Sequence, residues 1–234
     1  MTERSKVLAL LSETWQLLVI TGRYTLRSQL FGMDFMHLYV VRHGETWANA
    51  EQRYLGALDP GLTERGMQQA RALEEQLPRN IEVIVVSPRL RAQQTARILN
   101  GELNLPLETM DCFRERDVGV FEGLTQAEAR ERYPQLWSRN ITRQWAIGPT
   151  GGESIAAVVI RVQQGLAVLA ALHPSRTVLL VAHGFVAKTI RALAKDDFSD
   201  FFDWQLSNGS LLVLENLKTS LRSPEVLKNT LPAL

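Results

Sequence analysis

Three short apolar runs limit what this chain can fold into: His37-Leu38-Tyr39-Val40-Val41, Ile81-Glu82-Val83-Ile84-Val85-Val86 and Thr177-Val178-Leu179-Leu180-Val181-Ala182. Each is too short for a core helix and rich in β-branched residues, so each reads as a buried strand. The stretches between them carry helical spacing instead. Thr46 is placed to cap a helix through Glu51, and Thr63 to cap another running to about residue 77, with Leu62, Met67, Ala70, Leu73 and Leu77 on one face. Further helices are expected over Leu90–Leu99, behind Ser154 with Ile155, Val158, Val162, Leu166 and Leu169 buried, and over 186–194. Thr125-Gln126-Ala127-Glu128 is a capping-box pattern that opens a polar, Trp-containing helical stretch to about residue 145. Short strands are expected at Leu107–Thr109 and 210–214. Strands alternating with helices predict an α/β fold, a three-layer sandwich with a mainly parallel central sheet flanked by helices.

At 234 residues the chain is long enough for one well-buried domain, expected over 37–217. Residues 1–36 read as an N-terminal extension: either a non-native start ahead of Met33 or Met36, or a loosely docked amphipathic helix carrying Leu8, Leu11, Trp15, Leu18 and Val19. Residues 218–234 read as a C-terminal tail. Ser12, Glu13 and Gln16 interrupt the apolar stretch 7–20, which is too short and too polar to span a bilayer. A formal net charge of +1 gives no support for nucleic acid or an anionic membrane as partner, and neither is expected. The one cysteine, Cys112, excludes an intrachain disulfide and any CxxC zinc site, and fits a reducing cytoplasm. It reads as a small packed residue. Oligomeric state is left open, a homodimer included.

The strand ends carry the chemistry. The first run delivers Arg42 and His43 just before a capped helix, the second leads to Arg91, and the third delivers His183. In a parallel sheet the carboxyl ends share one edge, where ligands bind and where helix N-termini favour anions. Taken singly, Arg91 reads as a solvated helix arginine and His183 as a core histidine. Together they describe a pocket for a dianion, and phosphate is the commonest metabolite group that needs such cations.

Arg42-His43-Gly44-Glu45-Thr46, with Asn49, Arg53, Gly56, Asp59, Leu62-Thr63, Gly66 and Gln69-Ala70, resembles the signature of the histidine phosphatase superfamily, the phosphoglycerate mutase-like proteins. Ser87-Pro88-Arg89-Leu90-Arg91-Ala92-Gln93-Gln94-Thr95-Ala96 resembles its second motif, and Arg114-Glu115-Arg116-Asp117-Val118-Gly119-Val120-Phe121-Glu122-Gly123 its third. Gly151-Gly152-Glu153-Ser154 and Val181-Ala182-His183-Gly184 match the last two, so the resemblance covers about 37–216 in order. It implies His43 as the nucleophile that forms a phosphohistidine and Glu115 as the general acid. It also implies Arg42, Arg91, His183 and Asn49 as phosphate ligands, with Thr46, Arg53 and Gly184 as candidate substrate contacts. A histidine attacks phosphorus only from a neutral ring nitrogen, and nearby Arg42 and Arg91 would favour that form. Spreading charge over these donors stabilises the transition state, and a bound phosphate dianion would favour a protonated Glu115. No metal and no cofactor are implied.

The resemblance is to the phosphatase side. Only residues 124–150 separate Gly123 from Gly151, whereas the mutases carry a longer insertion and a His-Tyr-Gly run. Pro60 stands one position earlier than the family's usual Pro before Leu-Thr, Pro88 replaces a commonly polar residue, and 194–204 is short. The expectation is a metal-independent phosphomonoesterase acting on a small phosphorylated metabolite. The alternatives are mutase-type transfer, a non-catalytic phosphate-binding module, and a metal hydrolase using the two histidines. Candidate selectors of the ester are Arg53, Tyr54, Glu122, 133–150 and 198–204. Arg53 and Arg116 read equally as binders of a second anionic group and as solvated surface arginines.

Overall fold

The computed structural model describes residues 35–218. The strands are β1 (Phe35–Arg42), β2 (Val83–Val86), β3 (Leu107–Thr109), β4 (Thr177–Ala182) and β5 (Leu211–Lys218). They form one sheet in the order β3-β2-β4-β1-β5, parallel throughout except for β5, which runs antiparallel to β1. The helices are α1 (Trp47–Ala50), α2 (Glu64–Glu74), α3 (Leu90–Leu99), α4 (Gln126–Arg132), α5 (Pro134–Ser138), α6 (Ile155–Leu172) and α7 (Gly184–Lys195).

Alternation along each strand makes the three layers. Leu38 and Val40 of β1, with Val178 and Leu180 of β4, pack against Val158, Val162 and Leu166 of α6 and Val186 and Ile190 of α7. Val41, Leu179 and Val181 face the other way, against Leu73 of α2 and Ala92, Ala96 and Leu99 of α3. β4 is buried along its whole length, as a strand covered on both faces must be. The α/β sandwich expected from the sequence is the fold observed. A third, smaller cluster (Val118, Phe121, Leu124, Ala129, Ile141) sits apart from the sheet. Helix α6 is long and apolar enough to cross a membrane by composition alone, but its buried residues pack on the sheet.

Several boundaries differ from the sequence expectation. β5 continues to Lys218 because β1 already starts at Phe35 and offers partners there, Met36 opposite Leu217. α2 stops at Glu74, although Leu77 still packs on the core, and β2 starts at Val83. The polar stretch after Thr125 is broken into α4, α5 and a 3-10 turn at Ile141–Arg143. Pro134 cannot continue α4 and starts α5 instead, while Asn140 turns left-handed with φ 51°. The expected helix within 1–36, and all but the first residue of the expected tail 218–234, lie outside the described residues.

The loop after β1 is held by close backbone contact. A Cβ built on Gly44 would sit 2.2 Å from the carbonyl oxygen of Gly66, and one on Gly66 would sit 2.1 Å from that of Glu45. Thr63 N donates to Glu45 O at 2.9 Å, and Thr46 bridges to Leu62. The N-terminal turn of α2 is thereby strapped to the residues that follow His43. In an open helix Gly66→Ala would gain about 1 kcal/mol of propensity. Here it should instead cost about 1–3 kcal/mol by overpacking, read as a lower urea midpoint at constant slope. A midpoint at or above wild type would mean the two backbones have room to part.

Candidate active site

Sheet order brings the three predicted strand ends together, because β4 lies between β1 and β2. Arg42 is in register with Ala182, so His43 and His183 leave their strands side by side. Their ring centroids are 5.1 Å apart at an interplanar angle of 63°. Nδ1 of His43 lies 2.7 Å from the Gly44 carbonyl oxygen, which can only accept, so Nδ1 carries the proton. Nε2 is left with a free lone pair. Burial, then Arg91 and Arg42, push the His43 pKa well below 6.5 against the opposing Gly44 hydrogen bond. The imidazole is therefore neutral near pH 7. His183 is also buried and shifted well down, by burial first and then by Arg91, His43, Arg89 and Arg42. Its Nε2 lies 2.6 Å from Ser87 Oγ, and its buried Nδ1 has no protein partner.

Arg91 is wholly buried, unlike the solvated arginine it resembles when read alone. Its guanidinium donates to Leu58 O at 2.7 Å and Gly56 O at 3.0 Å, and lies 3.5 Å from Asp59 Oδ1. Burial lowers its pKa to about 10, with Glu115 and Asp59 opposing, so it stays charged. The loop that supplies those carbonyls is itself held by a carboxylate. Glu122 accepts from the backbone N–H groups of Gly56 (3.0 Å), Ala57 (2.7 Å), Leu58 (3.2 Å) and Val118 (3.1 Å). Glu122 therefore clamps the loop that holds Arg91. Thr95 Oγ1 donates to Arg91 O and accepts from Gly44 N, tying α3 to the loop after β1. Arg89, at the N-cap of α3, adds positive charge that acts on Arg91 and His183, and its buried Nε has no protein partner.

Arg42 donates to Leu206 O at 2.6 Å and leaves a buried Nε without a protein partner. Burial lowers its pKa and Glu115 raises it. Gly184 opens α7 beside it: a Cβ there would meet the Arg42 guanidinium carbon at 3.2 Å. Gly184 thus makes room for Arg42. Asn49 accepts through Oδ1 from Thr46 N, Thr46 Oγ1 and Asn208 Nδ2, which directs its amide nitrogen elsewhere. Thr46 is fully buried and its hydroxyl is engaged with Asn49, so it positions that residue. Asn208 also donates to His43 O, and Gly209 N to the carbonyls of Arg42 and His43.

Glu115 accepts from Phe185 N, one residue into α7, at 3.2 Å and from Arg116 N at 2.9 Å. Its charge acts on Arg42, Arg91, Arg116 and Lys188, which places it against the cationic cluster. The loop around it is pinned from behind. Arg161 of α6 donates to the carbonyls of Cys112, Arg114 and Glu115, and pairs with Glu153. Glu153 also holds Arg114 and the Asp117 N–H. Burial alone would raise the Glu153 pKa, but Arg161, Asp117 N–H and Arg114 outweigh it, and the net direction is down. Arg116 is buried, with its guanidinium on the carbonyls of Glu153 and Thr142 and over the Phe185 ring.

Arg53 is at the side of the site. It pairs with Glu51 at 2.7 Å and Glu128 at 2.6 Å, and donates to Gly123 O. Of the predicted site residues, His43, His183, Arg42, Arg91 and Glu115 converge, while Thr46 lies beneath them and Arg53 beside them. Within 198–204, Phe198, Phe201 and Phe202 pack on Trp145. Sequence reasoning missed Arg89, Asn208, Arg161 and the clamp made by Glu122. Only Asn208-Gly209 left a readable trace, as a turn signal before the last strand. Among the described residues, no group of three or more His, Cys, Asp or Glu could hold a metal ion.

If Glu122 acts through Arg91, their losses will not add. Arg91→Ala should lower kcat/KM for an aryl phosphate by about 100- to 1,000-fold. Glu122→Gln should cost about 10-fold or more alone, and less than about 3-fold in the Arg91→Ala background. Equal costs in both backgrounds would separate Glu122 from Arg91.

The chain matches the description of the histidine phosphatase superfamily (branch 1) over residues 38–223. Phosphoserine phosphatase 1 of Hydrogenobacter thermophilus is 35% identical over 179 residues, 76% of this chain and 85% of that protein. The 2,3-bisphosphoglycerate-dependent phosphoglycerate mutase of Methylobacterium radiotolerans is 32% identical over 209 residues, 84% of this chain and 97% of the mutase. The solved structure of mycobacterial glucosyl-3-phosphoglycerate phosphatase superposes with a TM-score of 0.69 at 32% identity, covering 76% of this chain and 90% of that one. With this fold, these strand-end residues and this match over most of its length, the chain belongs to the histidine phosphatase superfamily.

Proposed function

We propose that the protein is a metal-independent phosphomonoesterase that hydrolyses a small phosphate ester through a phosphohistidine on His43. The observation that carries this reading is a buried, neutral His43 whose Nδ1 proton is committed to Gly44 O, set among Arg42, Arg91 and His183 with Glu115 beside them. The names of its phosphatase relatives support hydrolysis. In the first step the Nε2 lone pair of His43 attacks phosphorus, the P–N bond forms and the P–O bond to the alcohol breaks. Glu115 gives its proton to the departing oxygen. In the second step Glu115 takes a proton from water, whose oxygen attacks phosphorus; the P–N bond breaks and its electron pair returns to Nε2. The two arginines and His183 counter the charge on the transferring group, which is the main need of this reaction. Arg42 Nε, Arg91 Nε and His183 Nδ1 are buried nitrogens with no partner among the described residues, a state that native structures normally avoid. Phosphoryl oxygens are suitable partners for them.

A mutase reading draws on the Methylobacterium relative. The short segment 124–150 favours access of water to the phosphohistidine, and hence hydrolysis. Bisphosphoglycerate-dependent interconversion of phosphoglycerates that outruns phosphate release would reverse that preference.

His43→Ala should abolish hydrolysis of nitrophenyl phosphate, and quenched single turnovers of labelled substrate should show acid-labile, base-stable label on wild type only. Substantial activity in the variant would sink the mechanism. The pH profile carries a sign. Activity needs the neutral imidazole and falls as pH drops through the folded pKa, which lies well below 6.5. The acid limb of kcat/KM should accordingly lie below pH 6.5. Arg91→Ala removes one of the lowering charges and should move that limb upward. A limb at or above the free-imidazole value in wild type would mean that His43 is not the titrating nucleophile.

A further inference from the structure

The hydrogen bonds around His183 can be settled by counting protons. Ser87 follows β2 directly and is fully buried. Val86 is in register with Val181, and Ser87 N donates to Val181 O at 3.0 Å, so Ser87 leaves its strand beside the end of β4 that carries His183. Gln93 of α3 donates to the Ser87 carbonyl at 2.9 Å and holds it there. The hydroxyl is thereby fixed 2.6 Å from Nε2 of His183, a ring that is itself fully buried.

A serine hydroxyl has one hydrogen and two lone pairs, and a neutral imidazole has one N–H and one lone pair. Burial first, and then Arg91, keep His183 neutral near pH 7, so only one of its nitrogens carries a proton. Arg89 N, at the N-cap of α3, donates to Ser87 Oγ at 3.3 Å and occupies one lone pair. Two arrangements remain for the short contact. If Nε2 donates to Ser87, the hydroxyl hydrogen has no acceptor among the described residues, and Nδ1 is a buried lone pair with no donor. If the hydroxyl donates to Nε2, its hydrogen is matched and Nδ1 carries a proton that lacks only an acceptor. Arg42 Nε and Arg91 Nε, which can only donate, are buried and lack an acceptor too. One anion answers all three, so the second arrangement is the one the buried groups favour.

We infer that Ser87 is a positioning residue: it donates its hydroxyl proton to Nε2 of His183 and so fixes that ring in the Nδ1–H tautomer, the form that can donate to a phosphoryl oxygen. Its part in turnover rests on the phosphomonoesterase reading above. In the opposite tautomer His183 would offer a lone pair to the phosphoryl oxygens and oppose the charge that Arg42 and Arg91 draw in. The two histidines then share a tautomer for different reasons. Nδ1 of His43 is protonated because a carbonyl accepts from it, which leaves Nε2 to attack; Nδ1 of His183 is protonated because a hydroxyl occupies Nε2, which leaves a donor.

Long-range proton–nitrogen correlation spectra of protein labelled at the histidine rings report which nitrogen of each ring carries the proton. His37, His43, His173 and His183 are the four histidines, and His183→Ala identifies the His183 signals by their loss. At neutral pH and without ligand, wild type should show His183 protonated at Nδ1 alone, and Ser87→Ala should bring up an Nε2–H form. Ser87→Ala should also weaken inhibition by inorganic phosphate, and lower kcat/KM for nitrophenyl phosphate, by about 10-fold each, the size of one hydrogen bond to a charged group. In the His183→Ala background the same change should cost less than about 2-fold. An Nε2–H tautomer in wild type overturns the inference. So does an Nδ1–H signal unmoved by Ser87→Ala, or an equal kinetic cost in both backgrounds. Failure of wild type to hydrolyse nitrophenyl phosphate takes down the phosphatase reading and the kinetic part of the inference with it, whereas the spectra, recorded on the resting protein, decide the tautomer in either case.

Discussion

The site depends on a buried guanidinium. Arg91 is fully removed from solvent, where a cation has to be held by hydrogen bonds. Two carbonyls of a short loop, at Gly56 and Leu58, accept from its terminal nitrogens, and its Nε is left without a partner among the described residues. That loop in turn has its amides gathered by one carboxylate, Glu122. A chain of charge-assisted bonds thus runs from an acidic side chain through backbone to an arginine. Removing its far end should loosen its near end, so Glu122 governs the position of Arg91 across a stretch of backbone. Burial first, and then the same charge, keep His43 unprotonated, so the arrangement that holds Arg91 also sets the protonation state of His43.

Burial and positive charge act together on the two histidines. Desolvation and the arginines each oppose protonation, and neither histidine has a carboxylate hydrogen-bonded to its ring. The linkage consequence follows from the sign of the shift. In the unfolded chain these imidazoles titrate near 6.5, and in the fold well below it, so between those values the unfolded state binds more protons. Their contribution to stability is fully present above pH 6.5 and shrinks as pH falls below it. Catalytic readiness is therefore gained against a tendency to come apart in acid.

The layers were legible because they follow from periodicity. Runs such as Thr177–Ala182 have nowhere to go but a doubly covered strand, and Ser154 and Thr125 announce helix starts through chemistry local to a few residues. The converging residues were legible for a related reason: strand ends in a parallel sheet share an edge whatever the intervening sequence. Glu122 and Arg161 were not legible as supports. Each acts on backbone groups far along the chain, at Gly56 and at Cys112, and backbone amides and carbonyls leave no mark in a sequence. The burial of Thr46 and Arg116 was not legible either, since polarity alone suggests an exposed side chain where the fold packs these two inside.

The converging residues at the sheet edge and the segment after Gly123 belong to different parts of the fold, and that separation has a physical basis. Arg42, Arg91 and His183 stand at strand ends and helix starts beside the two clusters that cover the sheet. The segment after Gly123 is broken by Pro134 and the left-handed Asn140 into short pieces, with its own small apolar cluster around Phe121. Short pieces on a separate cluster can change side chains without disturbing the sheet, because few of their contacts reach the main core. Glu122 sits where the two parts join, since Val118 N, in the small cluster, and Gly56 N, in the arginine loop, meet on the same carboxylate. Changes of side chain beyond Glu122, at residues such as Gln126 and Trp137, are accordingly expected to leave Arg91 and His43 in place.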